Sequence, residues 1–204
     1  MKKNLFIAAL AFVAMGANAQ VVNTLDGYQA GAQFVQDGIT YEVVEVSPAT
    51  VKVVGAAEKN VIVQEQFSIN DTYTVVDISA GLAQLDLDKV TAASDDPITL
   101  PGEEFFTEDT YTYAELVVPE ASIVKYAAAP IWRKFLKKYT DTGKLLGDVD
   151  GNDEITNNDV VQMLEIFLAD DEDLYDPMFD MDGNGEITNN DVILIQDLFL
   201  ADVF

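Results

Sequence analysis

Apolar residues recur along this chain with two different periods, and the change of period divides it. From Ile39 they alternate with polar ones through Tyr41, Val43 and Val46, and after a turn at Pro48 and Ala49 they resume at Val51, Val53 and Val54. Period-two alternation of β-branched and aromatic residues on both sides of a proline turn predicts a hairpin. Further strands are predicted at 60–63 and 72–78, and short ones at 98–101 and 114–119 that end in proline, which cannot donate to a ladder. Across 120–139 the spacing predicts one helix or two, with Pro130 opening the second and Ile131, Trp132, Phe135 and Leu136 forming an apolar stripe. Trp132 is the sole tryptophan and its place in that stripe predicts a core residue rather than a sugar-stacking platform, while Tyr111 and Tyr113 are expected to alternate on a strand. Beyond 145 the spacing is helical twice over, pairing Val160 with Val192, Val161 with Ile193, Met163 with Ile195 and Phe167 with Phe199, each pair 32 residues apart.

An acidic segment of twelve residues precedes each of these helical stretches. Residues 148–159 (DVDGNDEITNND) and 180–191 (DMDGNGEITNND) agree at ten of twelve positions. Calcium requires six to eight oxygen ligands from a loop that folds back on itself, with side chains at loop positions 1, 3, 5 and 12 and a backbone carbonyl at 7. The first segment supplies Asp148, Asp150, Asn152, the carbonyl of Glu154 and Asp159; the second supplies Asp180, Asp182, Asn184, the carbonyl of Glu186 and Asp191. Thr156 and Thr188 stand at position 9, where a ligand often acts through water, and Ile155 and Ile187 at position 8 are expected to pair the loops. Position 6 needs a sharp turn, given by Gly185 in the second loop and by Asp153, which tolerates a left-handed backbone, in the first. Position 12 is Asp where an EF-hand carries Glu. Thr156 with Asp159 and Thr188 with Asp191 also read as helix-start signals, so a single loop could be an ordinary turn and cap. The near-exact repetition argues for two calcium ions.

Charge strengthens this reading. The chain carries a formal net charge of −25, and residues 145–204 contain seventeen Asp or Glu and no Lys or Arg. A compact segment of one sign repels itself until cations neutralise it, so calcium is expected to drive its folding. Apolar residues at helical spacing distinguish it from a disordered acidic tail.

Loop followed by helix, without an entering helix and with Asp at position 12, resembles the type I dockerin family over about 147–204. The resemblance implies two calcium-binding loop-helix segments related by a pseudo-twofold axis, docking into a cohesin-like receptor domain on another protein through loop positions 10 and 11 and the first helix. Here those positions are Asn157 and Asn158 in one half and Asn189 and Asn190 in the other, so either half could face the partner. The chain departs from the family at Glu165 and Asp197, where basic residues are common. The segments DGITYEVV, TVKVVG, TYTVVDIS, DPITLPGEEFF and AELVVPEASIVKYAAAPIWRKF resemble the leucine-rich-repeat-like region of secreted BspA-type proteins over about 38–139. That resemblance implies strands stacked as a short solenoid with a closing C-terminal helix, its repeating middle reduced to one or two coils and its stability resting on terminal caps.

Lys2 and Lys3, an apolar run over 5–15 and Ala17-Asn18-Ala19 read as a secretion signal, the run being too short for a membrane span. The absence of cysteine removes any lipid-bearing cysteine or disulfide framework, and together with the absence of histidine it excludes most nucleophile–base pairs and zinc sites. Paired carboxylates could still hydrolyse a glycosidic bond, but Glu103, Glu104, Glu108 and Glu115 lie in turn-like stretches of a region small for such a cleft.

The expectation is an α+β chain: a signal peptide at 1–19, an N-terminal segment at 20–37, a β-rich domain at 38–139, a linker at 140–146 and an all-α calcium module at 147–204. Its expected role is secreted and non-catalytic, docking to a cohesin-like partner rather than to nucleic acid. Nothing in the sequence selects carbohydrate as a ligand. The alternative is a structural or adhesive secreted protein whose calcium unit caps a solenoid.

Overall fold

The computed structural model describes residues 29–68, 72–78, 81–102, 104–169 and 171–203; the expected leader and residues 20–28 lie outside them. It is a mixed α and β structure. Strands β1 (Gln33–Gln36), β2 (Ile39–Val46), β3 (Ala49–Ala56), β5 (Gln66–Ser68) and β6 (Thr72–Asp77) form one sheet in the order β1-β2-β3-β6-β5. The expected β2–β3 hairpin is antiparallel and turns through Ser47 and Pro48. A strand unforeseen from the periodicity, β1, pairs with β2 across the two-residue turn Asp37-Gly38, where both residues have positive φ, 52° and 78°. Asp-Gly is suited to that geometry, and the pair was a legible hairpin signal. Side chains of Phe34, Tyr41, Phe67 and Tyr73 pack here with ring centroids 4.7 to 5.9 Å apart.

A Cβ on Gly38 would lie 2.2 Å from the carbonyl oxygen of Asn60. Gly38→Ala therefore combines left-handed strain of about 1–2 kcal/mol with a clash against the Asn60 backbone. Urea unfolding of the variant is expected to show a loss above that strain alone, and a midpoint equal to wild type would contradict this account.

The second sheet contains β4 (Asn60–Val63), β7 (Lys89–Ala92), β8 (Glu115–Val118) and β9 (Lys137–Thr140), all parallel and in chain order. Rungs run across it: Val61, Val90, Leu116 and Lys138 align on the buried face, and Asn60, Lys89, Glu115 and Lys137 align on the other. The apolar ladder ends in a lysine, buried at 6% exposure, whose Nζ donates to the Phe135 carbonyl at 2.5 Å. Beside the sheet, Phe106, Tyr111, Trp132 and Phe135 form an aromatic cluster, with the Trp132 indole donating to the Ile98 carbonyl at 2.9 Å. Trp132 is thus a core residue, as expected, at 1% exposure.

Several expected elements differ. Residues 120–139 do not form a closing helix with one apolar stripe: α2 (Ile123–Ala128) ends where Ala129, before Pro130, turns extended, and after a short 3-10 turn the chain enters β9. The residue before proline disfavours helical backbone, and parallel pairing with β8 then captures 137–140. The expected strand at 98–101 is irregular, and β7 was not foreseen. Tyr111 and Tyr113 lie on α1 (Glu108–Tyr113), which is capped by Thr107 accepting from the Thr110 amide; the buried Tyr111 hydroxyl accepts from the Phe105 and Phe106 amides, while Tyr113 is exposed.

The expected linker at 140–146 is a tight turn folded back on the sheet. Thr140 N donates to Lys144 O, Leu146 N donates to Lys138 O, Leu145 and Leu146 are buried, and Lys144 pairs with Glu120 at 2.5 Å. Helices α3 (Asn157–Ala169) and α4 (Asn189–Val203) then pack against each other through Met163, Val192, Ile195 and Leu198. Among the described residues no helix is long and apolar enough to cross a membrane.

Candidate metal centres

Each acidic loop closes on itself through the same set of hydrogen bonds. At position 1, Asp148 accepts from the amides of Gly151 and Asn152 on Oδ1 and of Asp153 on Oδ2, at 2.8, 3.1 and 2.8 Å. Asp180 accepts from Gly183, Asn184 and Gly185 at the same three distances. At position 12, Asp159 accepts from Val149 and Asp150 on one oxygen and from the Thr156 amide and hydroxyl on the other. Asp191 does so from Met181, Asp182 and Thr188. The position-5 amides Asn152 and Asn184 accept from Glu154 N and Glu186 N. These bonds bend each loop inward, and the left-handed residues fall where the sharp turn requires them, Asp153 at φ 67° and Gly185 at φ 90°.

The result brings three carboxylates together twice. One oxygen each from Asp148, Asp150 and Asp159 lies within 4.8 Å of the others, and the same holds for Asp180, Asp182 and Asp191. Asp159, Asp180 and Asp191 are fully buried. Burial pushes the Asp180 carboxyl above its usual value, backbone amides of Gly185 and Asn184 oppose this, and the charge of Asp191 raises it further. For Asp159 burial also acts upward, but the hydrogen bonds from Thr156, Asp150 and Val149 outweigh it and hold the group low. Like charges at this spacing, with no basic residue anywhere in 145–204, leave an electrostatic cost that a cation would remove. An all-oxygen donor set of carboxylates, amide carbonyls and backbone suits a hard divalent ion such as Ca²⁺.

At the expected water-mediated positions, the Thr156 and Thr188 hydroxyls donate to Asp159 and Asp191 and accept from the Asn158 and Asn190 amides at the helix starts. Asn157 and Asn189 are exposed at the first turns of α3 and α4. Asn158 and Asn190 are also exposed, but each ties back to its loop, donating from Nδ2 to Asp150 at 2.5 Å and to Asp182 at 2.6 Å. Sequence reasoning missed that tie, although the eight-residue separation is the same in both repeats. It also missed Tyr175, whose hydroxyl donates to Asp180 Oδ2 at 3.2 Å and which has no aromatic counterpart before the first loop. Of the acids considered for hydrolysis, Glu104 and Glu108 are exposed, Glu115 pairs with Lys89 at 3.2 Å, and Glu103 lies outside the described residues. Compared with protein-family models, curated proteins and solved structures, the chain matches none.

Proposed function

We propose that this is a secreted, non-catalytic calcium-binding protein whose C-terminal pair of loop-helix units docks into a receptor domain of the cohesin type on another protein. The observation that carries the calcium reading is the twofold recurrence of three facing carboxylates within one hydrogen-bond framework. Asp148, Asp150, Asn152, the Glu154 carbonyl and Asp159 would hold one ion, and Asp180, Asp182, Asn184, the Glu186 carbonyl and Asp191 the other. A divalent ion supplies charge neutralisation; the protein residues orient the loops and, through Asp159 and Asp191, fix the starts of α3 and α4.

Docking is supported by the helix surface. Val161, Leu164 and Leu168 lie at helical spacing along α3 and are 44%, 40% and 69% exposed, with Ile193 and Leu200 at the corresponding positions of α4. Carboxylates flank this stripe, so a complementary partner carries apolar anchors inside a basic rim. A purified cohesin domain is expected to bind the full chain with calcium and to be released by chelator. Combined Asn157→Ala and Asn189→Ala should weaken capture by about tenfold, the scale of a typical interface anchor.

Two observations favour the second reading, a structural protein capped by its calcium unit: the second loop rests on α2 of the β-rich region, and 140–146 is a folded turn. Four parallel strands in chain order support a short solenoid beneath that cap. Calcium-raised thermal stability without capture of the cohesin domain would select this reading over the first.

A further inference from the structure

The two loops are almost the same sequence, yet the chain surrounds them differently. At loop position 4, Gly151 and Gly183 share one left-handed backbone, φ 73° and 70°. A Cβ built on Gly151 meets nothing within 4 Å. Built on Gly183 it would lie 2.3 Å from the Val124 carbonyl oxygen, 2.7 Å from Ala128 N and 2.9 Å from Ala128 Cβ. The second loop therefore sits backbone to backbone on α2, a contact that only glycine permits. Tyr175 adds a second hold through its hydrogen bond to Asp180, whereas Gly143 occupies the equivalent place before the first loop. Burial follows: Asp180 is fully buried and Asp182 half-buried, while Asp148 is half-buried and Asp150 exposed.

Resting on the calcium reading above, we propose that the second site is a retained structural site and the first an exchangeable one, with α2 and Tyr175 setting the difference. An ion leaves such a loop only when its ligands move apart. Opening the second loop requires parting Gly183 from α2 and Asp180 from Tyr175; opening the first requires neither. A fall in calcium then empties the first loop while the module stays joined to the β-rich region. Tyr175 is a positioning residue, acting on the ligand Asp180 and not on the ion. The half that carries Asn157 and Asn158 becomes the calcium-responsive one.

The test is calcium release from the loaded full chain into excess fluorescent chelator, followed by stopped flow. Two phases are expected, with Asp148→Asn removing the fast one. Gly183→Ala should speed the slow phase by roughly 10–100-fold, the range for loss of a residue supporting a metal ligand, and leave the fast phase alone. Gly151→Ala carries the same backbone strain in open space and should leave the slow phase unchanged. Tyr175→Phe, which loses only a hydroxyl, should also speed the slow phase and decides the matter if Gly183→Ala does not fold. Release of two ions in one phase, or a slow phase indifferent to both Gly183→Ala and Tyr175→Phe, would overturn the proposal. Release of no calcium at all would instead bring down the calcium reading on which it rests.

Discussion

Removal of calcium from the full chain is expected to destabilise the C-terminal pair of loop-helix units by about 5 kcal/mol. The figure follows from two sites, each contributing ~2.7 kcal/mol when calcium stands at a hundred times its dissociation constant. The physical source is the pair of triple-carboxylate clusters with oxygens within 4.8 Å. Without a cation, Asp148, Asp150 and Asp159 repel one another at the start of α3, and Asp180, Asp182 and Asp191 do so at the start of α4. Apolar packing around Met163, Val192, Ile195 and Leu198, with Ile155, Met178 and Met181, holds the helices otherwise, and no lysine or arginine in 145–204 offsets the loop charges. Circular dichroism melts in millimolar calcium and in chelator check the expectation. The helical signal should melt well below its calcium-loaded midpoint once calcium is removed, and Asp180→Asn together with Asp148→Asn should abolish the difference. Coincident melts with and without chelator would refute it.

The second large effect lies outside the metal centres. Lys138 completes a buried rung otherwise made of Val61, Val90 and Leu116. Burial lowers its ammonium from the ordinary lysine value of 10.5 to about 8. Below pH 8 the group is charged in both folded and unfolded chains, and the folded state bears the whole cost of burying it. Between pH 8 and 10.5 the folded state sheds its proton first, so stability from this group rises with pH, and above 10.5 the cost is gone. The difference corresponds to about 3 kcal/mol. Lys138→Met keeps the length and apolar stem, and gives up a charge-assisted hydrogen bond to the Phe135 carbonyl, worth about 1.5 kcal/mol. The variant should therefore be more stable than wild type by about 1.5 kcal/mol at pH 7, and the advantage should disappear by pH 10.5. Urea unfolding at the two pH values measures it; a variant no more stable at pH 7 would show that the lysine is better accommodated than its burial implies.

The pattern of alternation was enough to place β2, β3, β4 and β8, because in each a buried face reads directly as valine, isoleucine, leucine or tyrosine at every second position, while β6 buries only Tyr73. It failed where long-range pairing decided the matter. Residues 137–140, KKYT, carry no apolar alternation of their own and become a strand only because β8 offers an edge. Lys89–Ala92 is likewise drawn in between β4 and β8. Tyr111 was placed on a strand although Thr107, followed by Glu108 and Asp109, was a readable helix start.

For the site, the sequence by itself determined the loops, their spacing and their donor atoms, since each loop is closed by bonds between residues no more than ten apart. Local bonds are written in local sequence. What only the tertiary structure decided is that twin segments are not equivalent: helix α2, more than fifty residues earlier in the chain than Gly183, covers one loop and leaves its twin open. A repeat specifies what its own residues can form, but which face of it is covered depends on the packing of a distant segment.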